Sequence, residues 1–258
     1  MTMLEKINQF SRKELTEQEI YAFDVILCDN DIDRDIESFS ENALMQMQKL
    51  FIGKTGILDH NLKASYQTAR IYDTELIRDS TRKTRDGRAL ISLKAHAYMI
   101  RTDSNLDLIK EIDGGIKKEV SVSCSTSRRI CSICGADHAE SVCSHIPGRI
   151  YHNKMCHIIL DDIQDAYEWS FVAVPAQPAA GVTKQADTAL LEELAQQMRS
   201  EIMQLCTKQY HGCISHALQS AAQKMDLPEL FAFKKSLLRE QQNTLSQADV
   251  QLTDFQQR

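Results

Sequence analysis

The sequence predicts an α+β protein. A short arm (residues 1–19) leads into a strand-rich region (20–183), and a helical extension (184–258) follows. Three observations carry this. Apolar runs rich in β-branched and aromatic residues, such as Ile20 to Cys28, have strand length and are bounded by polar segments. Lys118 to Ser127 alternates, with Val120, Val122 and Cys124 on one face and Ser121, Ser123 and Ser125 on the other. After Gly181 the chain turns to Ala, Leu, Gln and Glu, with apolar residues at helical spacing.

The elements follow in order. The polar arm is a loose segment or a short helix. Ile20 to Cys28 is a strand, and Asp29 to Ser38 an acidic loop. Ser40 has the side chain of an N-cap for a helix carrying Ala43, Leu44, Met47, Leu50 and Phe51. Gly53 and Gly56 break it, and Ile57 to Asn61 forms a strand end or tight loop. Strands cover Ala69 to Leu76 and Ala89 to Ala97, joined by the polar turn Arg78 to Arg88. Leu106 to Ile112 is a short helix stopped at Gly114 and Gly115. Two more strands, Ile158 to Leu160 and Tyr167 to Val174, end at Pro175, since proline cannot continue a central strand. Thr188 to Met225 reads as an amphipathic helix, and Pro228 starts a second one running through Leu238 to Leu245.

Composition excludes some functions. A hydrophobic fraction of 43% supports a folded core, and a net charge of −6 leaves no electrostatic footprint for nucleic acid or an anionic membrane. No apolar run approaches the roughly 18 residues of a membrane span. The first fifteen residues carry Glu5, Lys6, Arg12, Lys13 and Glu14 and no apolar core of a secretory signal. The eight cysteines are therefore expected in a reducing compartment, where clustered cysteines bind metal more often than they form disulfides.

One cluster fits that expectation. Cys131 and Cys134 form a Cys-x2-Cys pair inside a Cys-rich insert (128–157), and Cys143 and His145 follow as Cys-x-His. Three thiolates and an imidazole make a closed tetrahedral zinc site, structural because no position is left for substrate. Gly135 suits the tight turn after the pair. His138, Cys156 and His157 are alternative ligands.

By residue type alone, His60 is a loop histidine and Ser121 a serine on the polar face of a strand. Three segments change that: Gly56-Ile57-Leu58-Asp59-His60-Asn61, Lys118-Glu119-Val120-Ser121-Val122-Ser123, and Ala166-Tyr167-Glu168-Trp169-Ser170-Phe171-Val172-Ala173-Val174-Pro175-Ala176. In this order, with apolar strands between them, they resemble the prohead maturation serine proteases of tailed phages, whose fold is related to herpesvirus assemblin. The acidic segment Asp33 to Glu37 before a helix is also similar to the family's N-terminal part. The resemblance spans about residues 20–183.

The resemblance implies a mainly antiparallel β-barrel surrounded by helices. It implies a serine endopeptidase with Ser121 as nucleophile, His60 as base and Glu168 as the group that orients His60. His152 and His157 are rivals for the third role, because assemblins use a second histidine. The family often has glycine where Ser123 stands, so Ser123 competes with Ser121. No cofactor is implied for catalysis. The implied substrates are the major capsid protein, the scaffold protein and the enzyme itself, inside the assembling prohead in the host cytoplasm. No nucleic-acid or membrane partner is implied, and homo-oligomerisation is left open. The link from Gln177 to Asp187 is a candidate for self-cleavage, and the helical extension for a scaffold-like or targeting role. The competing expectation is a non-catalytic capsid-assembly module with a zinc knuckle.

Overall fold

The computed structural model describes residues 1–183, 188–210, 213–225 and 229–240. It forms two compact units, Met1–Lys184 and Gln185–Arg258.

The first unit is built on one mixed sheet. Its strands are β1 (Ile20–Asp29), β2 (Glu37–Phe39), β3 (Thr55–Leu58), β4 (Ala69–Lys83), β5 (Ala89–Ile100), β6 (Val120–Cys131), β9 (Ile158–Phe171) and β10 (Gly181–Val182); β7 (Ile150–Tyr151) and β8 (Lys154–Met155) make a separate small hairpin. The sheet order is β10-β1-β5-β4-β3-β9-β2, with β6 also paired to β9. The β3–β9 and β2–β9 pairings are parallel, and the others are antiparallel.

The architecture is α+β, as the sequence predicts. The barrel is not present as a continuous closed ladder of strands. A single antiparallel bridge from Glu119 to Gly181 brings the chain just before β6 beside β10, with the Val182 N–H donating to Lys118 O at 2.6 Å.

β9 organises the sheet. It is one strand of 14 residues, where the sequence suggested two. The polar stretch Asp161–Asp165 hid its continuity, because charged side chains point outward there while the backbone still pairs with β6. β6 covers one edge of β9 from Ile158 to Phe171. The other edge is shared by β2, at Ile158–Leu160, and β3, at Trp169–Phe171. Between them sits α2 (Glu41–Leu50). Its Ser40 N-cap accepts the Ala43 N–H at 2.9 Å and donates to Asp161 at 2.6 Å. Gln46 Oε1 accepts the Ile163 N–H at 2.8 Å, so a helix side chain satisfies a strand donor where no strand lies alongside.

The core lies between α2, α3 (Leu106–Asp113) and the inner faces of the strands. Phe23, Trp169 and Phe171 form its aromatic centre, with ring centroids 5.3–6.2 Å apart. The arm is anchored: α1 (Met3–Asn8) buries Ile7, which joins Leu15, Ile20 and Tyr98 in a small cluster.

The second unit contains α4 (Thr188–Gln209), α5 (Cys213–Ala222) and a helix over 229–240. The single helix expected over Thr188 to Met225 is thus two. Met198, Ile202 and Cys206 share an apolar face with Ala222, Leu230 and Leu237. Arg199 of α4 donates to Ala222 O and Met225 O, which satisfies carbonyls at the end of α5. The part of the candidate cleavage link from Lys184 to Asp187 lies outside the described residues.

Candidate functional site: a His–Glu–Ser cluster and a Cys3His cluster

β3 leads directly into the first site. Gly56 lies opposite Trp169 on β9, and a Cβ on Gly56 would stand 2.5 Å from the indole Cζ2. Only a residue without a side chain lets the two strands approach there. Past Leu58 the chain turns through two consecutive left-handed residues, Asp59 (φ 52) and His60 (φ 53). Non-glycine residues rarely adopt this conformation, and when they do, the surroundings hold them in it. Here the Asp59 N–H donates to Phe171 O at 3.0 Å, and the His60 N–H donates to Ser170 Oγ at 2.9 Å.

That turn swings the His60 imidazole back over β9. His60 Nδ1 stands 2.7 Å from Glu168 Oε1. A carboxylate accepts, so Nδ1 carries a proton and donates it, and Nε2 is the ring nitrogen left open. The other carboxylate oxygen, Oε2, accepts from Ser170 Oγ at 2.8 Å. The Glu168 side chain is 2% exposed, whereas that of His60 is 41% exposed. A buried carboxylate thus orients an imidazole whose other edge is open.

β6 brings the serines to this cluster. Ser121 lies directly opposite Ser170, and Ser123 directly opposite Glu168. Residues facing each other across an antiparallel pair share a face of the sheet. Ser121, Ser123, Glu168 and Ser170 therefore lie on one face. Among the described residues, neither the Ser121 nor the Ser123 hydroxyl makes a hydrogen bond to His60. A groove of about 240 Å³ runs beside both serines, with Leu27, Phe39, Asp33 and Asp35 in its walls. Burial pushes the Asp33 carboxyl up to about 6, against backbone hydrogen bonds from Glu37 and Asp35 that favour its charged form.

Other residues fall elsewhere. Burial raises the Cys124 thiol to about 11, and its side chain packs on the core. His152 is exposed in the β7–β8 turn, and His157 is buried against the insert. Neither bonds to His60, so Glu168 is the residue that meets it. Arg128 pairs with Asp137 and Asp161, and Arg129 with Glu37, all as ties along the far part of β6.

Ser170 is the member that sequence reasoning missed. Its signal was present as Glu168-x-Ser170, two residues apart on a strand and hence on one face.

The second cluster is the one the Cys spacing predicted. Ligand atoms of Cys131, Cys134, Cys143 and His145 all lie within 4.8 Å of one another. Cys131 ends β6. The Gly135 N–H donates back to Cys131 O at 2.9 Å, and Gly135 takes the left-handed conformation (φ 73) that the turn requires. Burial pushes the Cys131 thiol up, but hydrogen bonds from the Cys134 and Ile133 N–H groups and from neighbouring thiols outweigh it and bring it down to about 7. His145 Nδ1 is buried with no hydrogen-bond partner. A metal ion would satisfy both the thiolate and the orphaned nitrogen, so the donor set fits zinc.

Two of the alternative ligands are neighbours of this set. Cys156 Sγ is 3.9 Å from Cys131 Sγ, and His138 Nε2 is 3.2 Å from Cys143 Sγ. Burial and the nearby Cys131 push the Cys156 thiol up to about 11.

Among the described residues no helix is long and apolar enough to cross a membrane. No protein-family model matches the chain, and no curated protein or solved structure is significantly similar to it.

Proposed function

We propose that this chain is a serine hydrolase acting through Ser121, His60 and Glu168. More particularly, we read it as a prohead maturation endopeptidase that cleaves scaffold protein, segments of the major capsid protein and itself. The observation that carries the reading is the His60–Glu168 pair, a buried carboxylate on an open imidazole, placed across the sheet from Ser121.

The chemistry follows from that arrangement. A serine hydroxyl is a weak nucleophile until a base takes its proton. His60 Nε2 takes the Ser121 proton as Oγ attacks the scissile carbonyl, and it then returns that proton to the leaving amine. Glu168 steadies the imidazolium through Nδ1–H. Ser170 holds the second Glu168 oxygen and the backbone of His60. Water, activated by the same imidazole, releases the acyl group. The Ser121 hydroxyl closes on His60 when substrate is bound, since catalytic hydrogen bonds are often long in the free enzyme.

The Glu119–Gly181 bridge supports reading the sheet as a barrel closed at that seam. The Cys3His cluster holds a structural zinc ion that staples the insert to the end of β6. The second unit directs the enzyme into the assembling prohead.

The test is co-expression with capsid and scaffold proteins. The wild-type chain processes them and Ser121→Ala does not. Unchanged processing by Ser121→Ala removes the assignment. A second reading, a non-catalytic assembly module, is favoured by the missing hydrogen bond between Ser121 and His60. Absence of processing by the wild type would support it.

A further inference from the structure

A second cavity lies away from Ser121 and His60. It has a volume of about 540 Å³ and opens between the β4–β5 turn and the cysteine-rich insert. The turn supplies Arg85, Asp86 and Arg88, and the insert supplies Lys154 and His157. Both walls are well built. Gly87 takes φ 86, and its N–H closes the turn on Thr84 O at 2.9 Å; the Arg85 N–H donates to Asp31 Oδ1 at 2.7 Å. On the other side the His157 N–H donates to Ser132 Oγ at 2.9 Å.

Several polar groups in this cavity lack a close partner. Asp86, the one acid in the wall, is already engaged by Thr84 Oγ1 and by Arg88 Nε at 2.7 Å. Arg88 also donates to Asn30 O. The Arg85 guanidinium stands 3.9 Å from Asp31, beyond hydrogen-bond reach, and Lys154 has no ion pair among the described residues. His157 is 3% exposed, and its Nε2 is buried with no partner. A buried polar atom without a partner is costly and is rarely left so. The cavity therefore presents the unpaired Lys154 ammonium, an Arg85 guanidinium held only loosely by Asp31, and an orphaned imidazole nitrogen.

We propose that this cavity binds inorganic phosphate. The chemistry separates phosphate from carboxylate. His157 Nδ1 lies 3.4 Å from Met155 O and so carries the ring proton, leaving Nε2 as a lone pair that needs a donor. Hydrogen phosphate offers one O–H along with acceptor oxygens for Arg85 and Lys154. A carboxylate offers acceptors alone.

The experiment uses the full-length chain as purified, labelled with ¹⁵N. Inorganic phosphate is titrated while the His157 ring nitrogens are followed by NMR, with acetate as the carboxylate control. A saturable shift of Nε2 with phosphate and none with acetate is expected. The double variant Arg85→Gln/Lys154→Gln changes two exposed side chains and should keep the fold, yet weaken phosphate by about tenfold or more, since two charge-assisted contacts are lost. No saturable shift up to about 10 mM phosphate, where even a weak site of millimolar Kd is filled, overturns the proposal. So does equal binding by the double variant or by acetate.

Discussion

Glu168 accepts the Nδ1–H of His60 at 2.7 Å from a side chain that is itself only 2% exposed. The carboxylate cannot turn away, because Ser170 holds its other oxygen. Glu168→Gln keeps the shape but removes the charge and lets the imidazole adopt the wrong tautomer. Under the proposed mechanism its processing rate should fall about 10³–10⁴-fold with the fold retained, the magnitude seen when the orienting acid of a Ser–His–Asp triad is replaced. A single-turnover assay checks this, and a fall of less than tenfold would remove Glu168 from the mechanism.

Ser121 and Ser123 face Ser170 and Glu168 respectively, so either hydroxyl lies on the face that carries Glu168. Ser121→Ala should abolish processing, while Ser123→Ala should lower it by less than about tenfold. Mass spectrometry after treatment with a serine-directed phosphonate should find the adduct on Ser121. An adduct on Ser123 would reverse the assignment.

Gly56→Ala tests the approach of β3 to β9. The new methyl group would sit 2.5 Å from the buried Trp169 ring, which has no room to move. Overpacking of this kind costs about 1–3 kcal/mol. The expected result is a lower midpoint in urea, and lower activity as well, because the turn that carries His60 starts at Asp59, directly after β3 ends.

Zinc should be bound at one equivalent per chain, held by Cys131, Cys134, Cys143 and His145. Cys143→Ser should lose it, and a strong chelator should lower the thermal midpoint of the wild type. Metal analysis of the purified protein decides the matter. A content far below one equivalent would show that the four groups meet without a metal.

Asp33 provides a pH signature. Its carboxyl is raised to about 6 in the fold, against about 3.9 in an unfolded chain. Between these values the folded state holds a proton that the unfolded state has lost, so stability contributed by Asp33 falls as pH rises. That contribution is fully present below about pH 3.9 and gone above about pH 6. Asp33→Asn keeps the acceptor for the Asp35 and Glu37 N–H groups and should remove the trend. Urea midpoints from pH 4 to 7.5 measure the difference. Parallel curves for the two proteins would contradict the burial of a titrating Asp33.

Much of this was legible in the sequence because it is local. The Ser40 cap, the glycines behind α3 and the alternation of β6 depend on neighbours a few residues away, and periodicity reports them faithfully. The Cys3His set was legible for the same reason, since its four ligands lie within fifteen positions on a tight turn. Less local features were not. Charged residues in the middle of β9 concealed a continuous strand, because its pairing with β6 carries on past outward charges that a periodicity count penalises. β2 was lost inside an acidic loop, being three residues long and defined only by its pairing with β9. The predicted long tail helix breaks between α4 and α5 although its composition does not change at that point.

The sequence by itself determined which residue types could perform acid–base and nucleophilic chemistry, and that thiols were clustered for a metal. Only the tertiary structure decided which of them meet. It chose Glu168 over His152 and His157, because β9 carries the glutamate beneath the His60 turn while the insert carries both histidines elsewhere. It also revealed Ser170, whose hydroxyl ties together residues 108 positions apart in the chain. Such contacts arise from strand order and register, which depend on burying one shared core and so are written across the chain rather than in any one segment of it.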